Sequence, residues 1–473
     1  MFIGSITSML FGALVYGAST ASAQTKFCAD GVNVISRNCP TGSPPGIFYM
    51  WNNDGAVHHF QPGSALLSVG LRQKLAVQIC NYGNIDVWDH TIPLGSTLLP
   101  TVVGNVGESG LVKVQVLGSA NVNVNGQLVV GMKIAEGQVT GDLPDASLMS
   151  EIVKGSLGKW AEISVLVQNS ANVKLASSST QLWIGKGSLM QEVVNVEPRQ
   201  VVQNVCLAVE VSQSANVYAT NGGAKVYIRD GQLDDETLDL PSFYNNATVN
   251  DGLGRTEYSI LLVNKNNVAN IENVSELHIW DGELSDETID AGDIVRCTAN
   301  ITLFEVGNAR VSGYTRIVDG ELVDEMLDVT FLRDYSTVNV VANGVGNVWA
   351  HTLEIIEGDL VDEMVDVEME VNTGSVIRVD VNNIANARTA SHLIISNSEL
   401  IDEVIDVGTA ITQSTAVVNM RNSGNSYCSA NPMHTIVVTN GEQVVDLTYG
   451  LMAIITIEEW RVLILQNDDE WIN

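Results

Sequence analysis

A short acidic segment recurs along the chain and contains the side chains best suited to chemistry. Its clearest copies read GQLDDETLDL from Gly231, GELSDETIDA from Gly282, GELVDEMLDV from Gly320, GDLVDEMVDV from Gly358 and SELIDEVIDV from Ser398. Closely spaced carboxylate oxygens are the ligands that Ca²⁺ prefers. We therefore predict metal binding in these copies, with the candidate ligands Asp235, Glu236, Asp239, Asp286, Glu287, Asp290, Asp324, Glu325, Asp328, Asp362, Glu363, Asp366, Asp402, Glu403 and Asp406. The alternative role of the segment is a solvated acidic rim that keeps the protein soluble.

The repetition of these carboxylates bears on what they can do. If the copies stack, their carboxylates form a ladder of like charges, which repel one another unless cations screen or bridge them. Paired carboxylates can also perform acid–base catalysis, but this chemistry needs one constellation in which the two groups have different environments. The sequence also has no nucleophile elbow, zinc-protease, phosphate-loop or dinucleotide-binding motif. We therefore predict that the protein is not an enzyme.

A second recurring element is a polar turn that ends in asparagine. The asparagines are Asn84, Asn121, Asn172, Asn216, Asn270, Asn308, Asn347, Asn386 and Asn425. Asparagine tolerates the left-handed conformation and bonds its own backbone, which predicts a turn residue. A ladder of stacked asparagines is the alternative.

The segments between the turns alternate apolar and polar residues. Residues 377–381 read IRVDV and residues 365–371 read VDVEMEV. A period of two indicates a strand with one buried face, and the abundant Val, Ile and Thr suit strands. One repeat therefore reads as about four short strands joined by turns.

A unit of this size cannot bury its apolar face alone, so neighbouring units must stack. The sequence predicts an all-β fold, an elongated β-solenoid of tandem repeats of about 39 residues; the alternatives are a β-propeller or a string of small β-units. We place the tandem β-repeats at 71–447, an N-terminal cap region at 24–70 and a C-terminal cap segment at 448–473.

The N-terminus and the cysteines indicate the compartment. Residues 1–23 form a mostly apolar stretch that ends in Ala-Ser-Ala, which predicts a secretory signal peptide. No later apolar segment is long enough to span a membrane, so we expect no transmembrane anchor. Cys28 and Cys39 flank a stretch rich in Pro and Gly and are the most plausible disulfide pair. The other four cysteines are either further disulfide partners or small buried side chains.

The net charge of −32 restricts the possible partners. Such a field repels nucleic acid, anionic lipid and acidic polysaccharide, whereas it favours cations and basic partners. We expect no nucleic acid partner, and Ca²⁺ is the one cofactor that the residues suggest.

Glycine- or alanine-asparagine turns followed by Val or Ala accompany the acidic segment. They occur at residues 306–309, 345–348 and 384–387. This pattern resembles bacterial surface repeat proteins, and among them the holdfast-anchor (HfaD-type) attachment proteins of stalked alphaproteobacteria. The resemblance implies a secreted protein on the outer surface of a Gram-negative bacterium that helps fasten adhesive polysaccharide to the cell.

The expected function is therefore that of a non-enzymatic extracellular or outer-surface structural protein for adhesion or anchoring of surface material. The expected partners are surface polysaccharide or other surface proteins, together with self-association. Two alternatives remain, which are a self-assembling extracellular filament subunit and a polysaccharide-active enzyme on a β-helix scaffold.

Overall fold

The computed structural model describes most of the chain between residues 28 and 453. The described residues are 28–36, 38–39, 44–88, 90–93, 95–125, 132–134, 146–196, 202–233, 237–244, 260–284, 288–323, 326–361, 363–396, 398, 400, 404–407, 410–428, 435–439 and 451–453. They contain 41 strands and no helix. The predicted signal peptide, residues 1–23, lies outside them.

Between residues 260 and 396 every strand has six to ten residues, whereas many of the other strands have only two to five. The first fourteen are β1 (Gly46–Trp51), β2 (Val57–Phe60), β3 (Leu67–Val69), β4 (Lys74–Cys80), β5 (Ile85–Val87), β6 (His90–Ile92), β7 (Thr97–Leu99), β8 (Val103–Val106), β9 (Leu111–Leu117), β10 (Val122–Val124), β11 (Met132–Ile134), β12 (Ala146–Met149), β13 (Val153–Gly155) and β14 (Glu162–Gln168). The next thirteen are β15 (Val173–Leu175), β16 (Gln181–Gly185), β17 (Gly187–Met190), β18 (Val194–Val196), β19 (Val202–Gln203), β20 (Cys206–Ser214), β21 (Val217–Ala219), β22 (Lys225–Arg229), β23 (Leu238–Leu240), β24 (Phe243–Tyr244), β25 (Ile260–Val268), β26 (Ile271–Trp280) and β27 (Ile289–Val295). The last fourteen are β28 (Thr298–Val306), β29 (Ala309–Val318), β30 (Asp328–Arg333), β31 (Thr337–Asn343), β32 (Val348–Ile356), β33 (Asp366–Asn372), β34 (Val376–Asn382), β35 (Ala387–Ser396), β36 (Asp406–Val407), β37 (Ala410–Thr412), β38 (Thr415–Arg421), β39 (Ser426–Cys428), β40 (Thr435–Thr439) and β41 (Leu451–Ala453).

Three large sheets and one small one contain these strands. Sheet 1 has the order β2-β1-β4-β9-β14-β20-β25-β28-β31-β34-β38-β41. Sheet 2 has the main path β39-β35-β32-β29-β26-β21-β15-β10-β5, and sheet 3 has β3-β8-β13-β18-β23-β27-β30-β33-β36. Strands β7, β12 and β17 form the small sheet. The chain visits sheets 1, 2 and 3 in the same order on each pass, as β28, β29 and β30 and then β31, β32 and β33 illustrate.

Successive passes pair in parallel. In sheet 1, Thr298 pairs with Thr337, and Val376 pairs with Thr415. Among the described strands, antiparallel pairs occur only at the two ends of sheet 1, where β1 pairs with β2 and β4, and β41 pairs with β38. This all-β architecture with parallel sheets is compatible with a β-solenoid. It does not fit a β-propeller, which belongs to the antiparallel architectures.

One apolar core runs through the stacked passes. Its buried side chains form a continuous cluster from Ile47 to Met420. In β34, Ile377, Val379 and Val381 are buried and Arg378 is exposed, which confirms the alternation predicted there. Because the core is shared between passes, the described strands do not form a string of small independent units.

Two local expectations about the strands were wrong. The passes from Thr298 onward to β33 contain three strands rather than four, because each strand of sheet 2 bends midway without ending. In β33 the alternation breaks at Met369, which is 45% exposed. Val329 pairs with Val367 but Phe331 pairs with Glu370, so β33 holds one extra residue as a bulge.

The predicted disulfide between Cys28 and Cys39 is also wrong. Both cysteines form disulfides, but Cys28 pairs with Cys206 and Cys39 pairs with Cys80. Of the remaining two, Cys297 is buried, and its Sγ donates a hydrogen bond to the carbonyl oxygen of Val295. Cysteine spacing cannot reveal this pairing, because it depends on where the N-terminal segment lies on the folded sheet.

That segment, residues 28–36, crosses the outer face of sheet 1, and we call it the N-terminal strap. Its end at Cys28 is bonded to β20, and the Ala29 amide donates to a carboxylate oxygen of Glu162 in β14. Lys74 in β4 donates to the carbonyl of Gly31. A second apolar cluster joins Ala29 and Val32 of the strap to Met50 and Ala76 of sheet 1. The strap therefore ties strands from successive passes together.

Candidate functional site

The last aspartate of each acidic segment lies in sheet 3. Five of these residues, which we call the aspartate column, pair in register in the order Asp239, Asp290, Asp328, Asp366 and Asp406. Neighbouring strands lie about 4.8 Å apart, so the column brings like charges close together. The predicted stacking of the acidic segments is confirmed in the backbone register of these positions.

Of the ten other predicted metal ligands, the structure describes only Glu363. Glu363 lies between β32 and β33, and its carbonyl accepts a hydrogen bond from the Met326 amide. Outside the described residues lie Asp235, Glu236, Asp286, Glu287, Asp324, Glu325, Asp362, Asp402 and Glu403. Within the described ranges, no group of three or more His, Cys, Asp and Glu side chains is arranged to hold a metal ion. The Ca²⁺ site and the solvated rim both stay predictions.

Burial disfavours the charged form of several carboxyls in sheet 3. Burial, together with the charges of Asp366 and Glu368, raises the pKa of Asp328 to about 6. Burial also raises the pKa of Asp239. In the passage before β18, burial raises the pKa of Glu192 to about 7, against the hydrogen bond that Asn195 donates to it. Ionisation of these groups therefore opposes folding unless a proton or a cation offsets the charge.

The glycine that begins each acidic segment is required by the close approach of successive passes. A Cβ on Gly358 would lie 2.3 Å from the carbonyl oxygen of Gly320, and one on Gly320 would lie 2.6 Å from that of Gly282. In the fifth copy, Ser398 takes this place, and its hydroxyl accepts a hydrogen bond from the Gly358 amide at 3.1 Å. The first position of the segment therefore has a structural role.

The nine repeated asparagines form one continuous hydrogen-bonded column, the asparagine ladder. The backbone amide of each one from Asn121 to Asn425 donates to Oδ1 of the preceding asparagine, at 2.8–3.1 Å. From Asn84 to Asn386, each Nδ2 also donates to a backbone carbonyl of the next pass, at 2.7–3.0 Å. The stacked ladder weighed as an alternative from the sequence is therefore confirmed.

The turn-residue prediction for these asparagines was wrong in one respect. The left-handed conformation belongs to the residue before each asparagine, for example Ala120, Ala269 and Gly346, with φ of 55°, 56° and 64°. The asparagine itself bonds the neighbouring pass rather than its own backbone. A small residue takes the positive φ because the chain must turn sharply while the asparagine side chain stays aligned with the stack.

A cluster of aromatic and titratable side chains covers the part of sheet 2 that follows the bend in its strands. Trp183 stacks on Tyr227 with ring centroids 4.2 Å apart, and Tyr227 stacks on His278 at 5.2 Å. Burial lowers the pKa of His278, against the charge of Glu276. Tyr314 donates a hydrogen bond to Glu354, and burial raises the pKa of its hydroxyl. Unlike the aspartate column, this cluster does not repeat from pass to pass.

A groove lies on sheet 2 where its strands bend, and we call it the arginine–tryptophan groove. The ladder register shifts at this bend between Arg310 and Tyr314 in the pair β29–β32, and between Ala350 and Thr352 in the pair β32–β35. The groove has a volume of about 860 Å³, within the range of small-ligand sites. Its principal lining residues are Asn273, Arg310, Ser312, Trp349, His351 and Arg388.

Three of these side chains lie in register on adjacent strands. Arg310 pairs with Trp349, and Trp349 pairs with Arg388. The guanidinium carbon of Arg310 lies 4.8 Å from the centre of the Trp349 ring, which is cation–π geometry. The groove therefore presents cationic and aromatic groups to solvent on a chain that is otherwise strongly acidic.

Sequence reasoning missed this groove. A signal existed, because Arg310, Trp349 and Arg388 each follow a ladder asparagine by two residues. The bend that makes the surface concave has no comparable signal, since it depends on register shifts between strands.

Comparison of the chain with protein-family models, with curated proteins and with solved structures gives no match. The described residues contain no helix that is both long and apolar enough to cross a bilayer. The function must therefore be argued from the geometry of the chain itself.

Proposed function

We propose that the protein is a non-enzymatic structural protein of the outer cell surface, where it serves adhesion or anchoring of surface material. In this proposal the chain forms an elongated β-solenoid of tandem repeats of about 39 residues. The protein is secreted through the signal peptide at residues 1–23 and acts on the surface of a Gram-negative bacterium.

The observation that carries this proposal is the asparagine ladder. It links nine passes through hydrogen bonds between successive asparagines, which are buried from Asn270 to Asn425, and the shared apolar core runs beside it. Such a body resists local opening, because removing any ladder asparagine from Asn84 to Asn386 leaves two backbone groups of the next pass without partners. A stiff body with repeated surface chemistry suits the bearing of load between a cell and the material attached to it.

The two disulfides support export. They cross-link the N-terminal region to β4 and β20, and disulfides persist in oxidising compartments outside the cytosol. Both pairs include a cysteine close behind the predicted signal peptide cleavage site.

Three measurements test this proposal. Solution scattering from the purified chain should give an elongated particle, and a ring or a compact globule would overturn the solenoid. Protease treatment of intact Gram-negative cells that express the full chain should degrade it, whereas a variant without residues 1–23 should be protected. Cells that display the chain should also retain more polysaccharide at their surface than cells with the deletion variant.

A polysaccharide-active enzyme is the second candidate, and the cluster around His278 and Tyr314 favours it. These groups do not repeat, and their pKa values shift in environments that differ from each other. Release of reducing ends from polysaccharide, lost in both His278→Ala and Tyr314→Phe, would support this candidate against the structural one.

A further inference from the structure

We propose that the arginine–tryptophan groove binds a carboxylated polysaccharide, a chain that contains uronic acid residues. This inference deepens the proposed function, on which it rests for its biological setting, by naming the chemistry of the anchored material. The protein would then hold the polymer along sheet 2 and not through the aspartate column.

The position of Arg310 supports recognition of a carboxylate. Its guanidinium lies against the Trp349 ring, and the side chain is exposed. A guanidinium that is held by an aromatic ring keeps its N–H edge in a fixed plane, and that edge matches a carboxylate with two parallel hydrogen bonds. The ring thus orients the charged group before any ligand arrives.

The order of the groove along the stack supports an extended polymer. Arg310, Trp349 and Arg388 occupy three successive strands, which lie about 4.8 Å apart. Two cationic groups therefore flank one aromatic residue and are separated by two strand spacings, about 9.6 Å, which suits carboxylates on alternate sugar units of an extended chain. The C–H face of a sugar packs on an indole, while Asn273, Ser312 and His351 at the groove wall can bond hydroxyl groups.

The net charge of −32 opposes the approach of an anionic polymer at long range. At physiological ionic strength, however, charges more than about 8 Å apart are largely screened, so the groups that line the groove dominate at contact. Glu272 pairs in register with Arg310, so its carboxylate stands at one end of the row of Arg310, Trp349 and Arg388. Glu305 lines a smaller pocket on the same side, together with Arg310 and Trp349. The ligand should therefore extend from Arg310 toward Arg388.

Calorimetric titration of the full chain with polygalacturonate tests the proposal. We expect binding that weakens as salt is raised above physiological ionic strength, where the long-range repulsion is already screened, and we expect no binding of neutral dextran. Arg310→Gln and Trp349→Ala should each weaken binding by about tenfold or more, the scale of one charge-assisted hydrogen bond. Arg310→Lys should recover only part of the affinity, because the planar fork is lost while the charge is kept.

Matched controls come from exposed residues elsewhere on the chain. Trp88 is 67% exposed and Arg378 is exposed on sheet 1, so Trp88→Ala and Arg378→Gln should bind as the original chain does. Circular dichroism and the thermal midpoint verify that each variant is folded, and Trp349→Phe replaces Trp349→Ala if the latter is not.

Four results would overturn the proposal. The first three are no binding of polygalacturonate, equal binding by the groove variants and the controls, and equal binding of dextran. Binding of poly-glutamate as tight as that of polygalacturonate would instead indicate an acidic polypeptide ligand and would also reject the sugar. None of these results would affect the surface location, which the protease experiment measures separately.

Discussion

Removal of Asn347 from the asparagine ladder should destabilise the chain more than removal of a ladder asparagine at its end. Asn347 is fully buried, with 0% of its surface exposed. Its Nδ2 donates to Asn308 Oδ1 at 3.0 Å and to the Asn383 carbonyl at 2.8 Å. Its Oδ1 accepts from the backbone amide of Asn386 at 3.1 Å and from the side chain of Asn386 at 2.8 Å.

The change Asn347→Ala leaves two backbone groups without partners, the Asn386 amide and the Asn383 carbonyl. Leaving a buried polar group unsatisfied costs about 1–3 kcal/mol, and this applies in full to the Asn386 amide. The Asn383 carbonyl belongs to an exposed residue, where water can replace part of the lost bond, so the expected loss is about 3 kcal/mol in total. Asn84→Ala is the matched control. Asn84 is exposed at the first position of the ladder, so water can replace its bonds and we expect a loss of about 1 kcal/mol or less.

Urea unfolding should give the free energy of unfolding of both variants, and hydrogen exchange should show which part of the chain is destabilised. In Asn347→Ala, the peptides that contain residues 340–390 should exchange faster, while those near residue 85 should not change. If Asn347→Ala loses no more stability than Asn84→Ala, the ladder is not a principal source of cohesion between passes. The reasoning behind the proposed stiff body would then fail.

Three further predictions concern charge, disulfides and calcium. Because the folded pKa of Asp328, about 6, lies above its usual value of 3.8, the contribution of this carboxyl to stability is greatest below pH 3.8 and is lost as the pH rises through 6. Asp328→Asn should therefore raise the free energy of unfolding at pH 7.5 by about 1 kcal/mol after allowance for solvent screening, and with it the thermal midpoint, whereas at pH 4 it should change little. Asp380→Asn, which removes a carboxylate 3.0 Å from Arg421, should not raise the midpoint, and a lower midpoint for Asp328→Asn at pH 7.5 would contradict the assignment. Peptide mapping without reductant should recover the linked pairs Cys28–Cys206 and Cys39–Cys80. Cys28→Ser should lower the free energy of unfolding by about 2–5 kcal/mol and make the N-terminal strap sensitive to protease. A strap that stays resistant in this variant would contradict its role in tying the passes together. If Ca²⁺ bridges the acidic segments, EGTA should lower the thermal midpoint and added Ca²⁺ should restore it, whereas an unchanged midpoint would remove the calcium hypothesis.

The repeated residues show how far sequence reasoning reaches. The asparagines and the acidic segments were found from the sequence because each copy faces the same neighbours in the next pass, so the same residue is required again. The alternation around Ile377 was readable for the same reason, since a strand with one buried face needs apolar residues at every second position. The glycine that begins four of the five acidic segments could be recognised in the sequence. The reason for it, which is the close approach of the backbone of the previous pass, could not.

Features that do not repeat could not be read in this way. The extra residue at Met369 depends on how β33 pairs with β30, and the groove near Arg310 depends on a bend shared by several strands. The disulfide partner of Cys28 lies 178 residues away, at a place that becomes its neighbour only when the strap crosses four strands of sheet 1.

The sequence by itself determined the all-β class, the stacking of similar units and the residues that line up in columns. These follow from periodic side-chain chemistry, in which each residue has the same local and inter-pass surroundings. Only the tertiary structure decided the parallel order of the three sheets, the pairing of the cysteines and the concave surface beside Trp349. These depend on register and strand curvature, which arise from contacts between residues distant in the chain and leave no periodic mark in it.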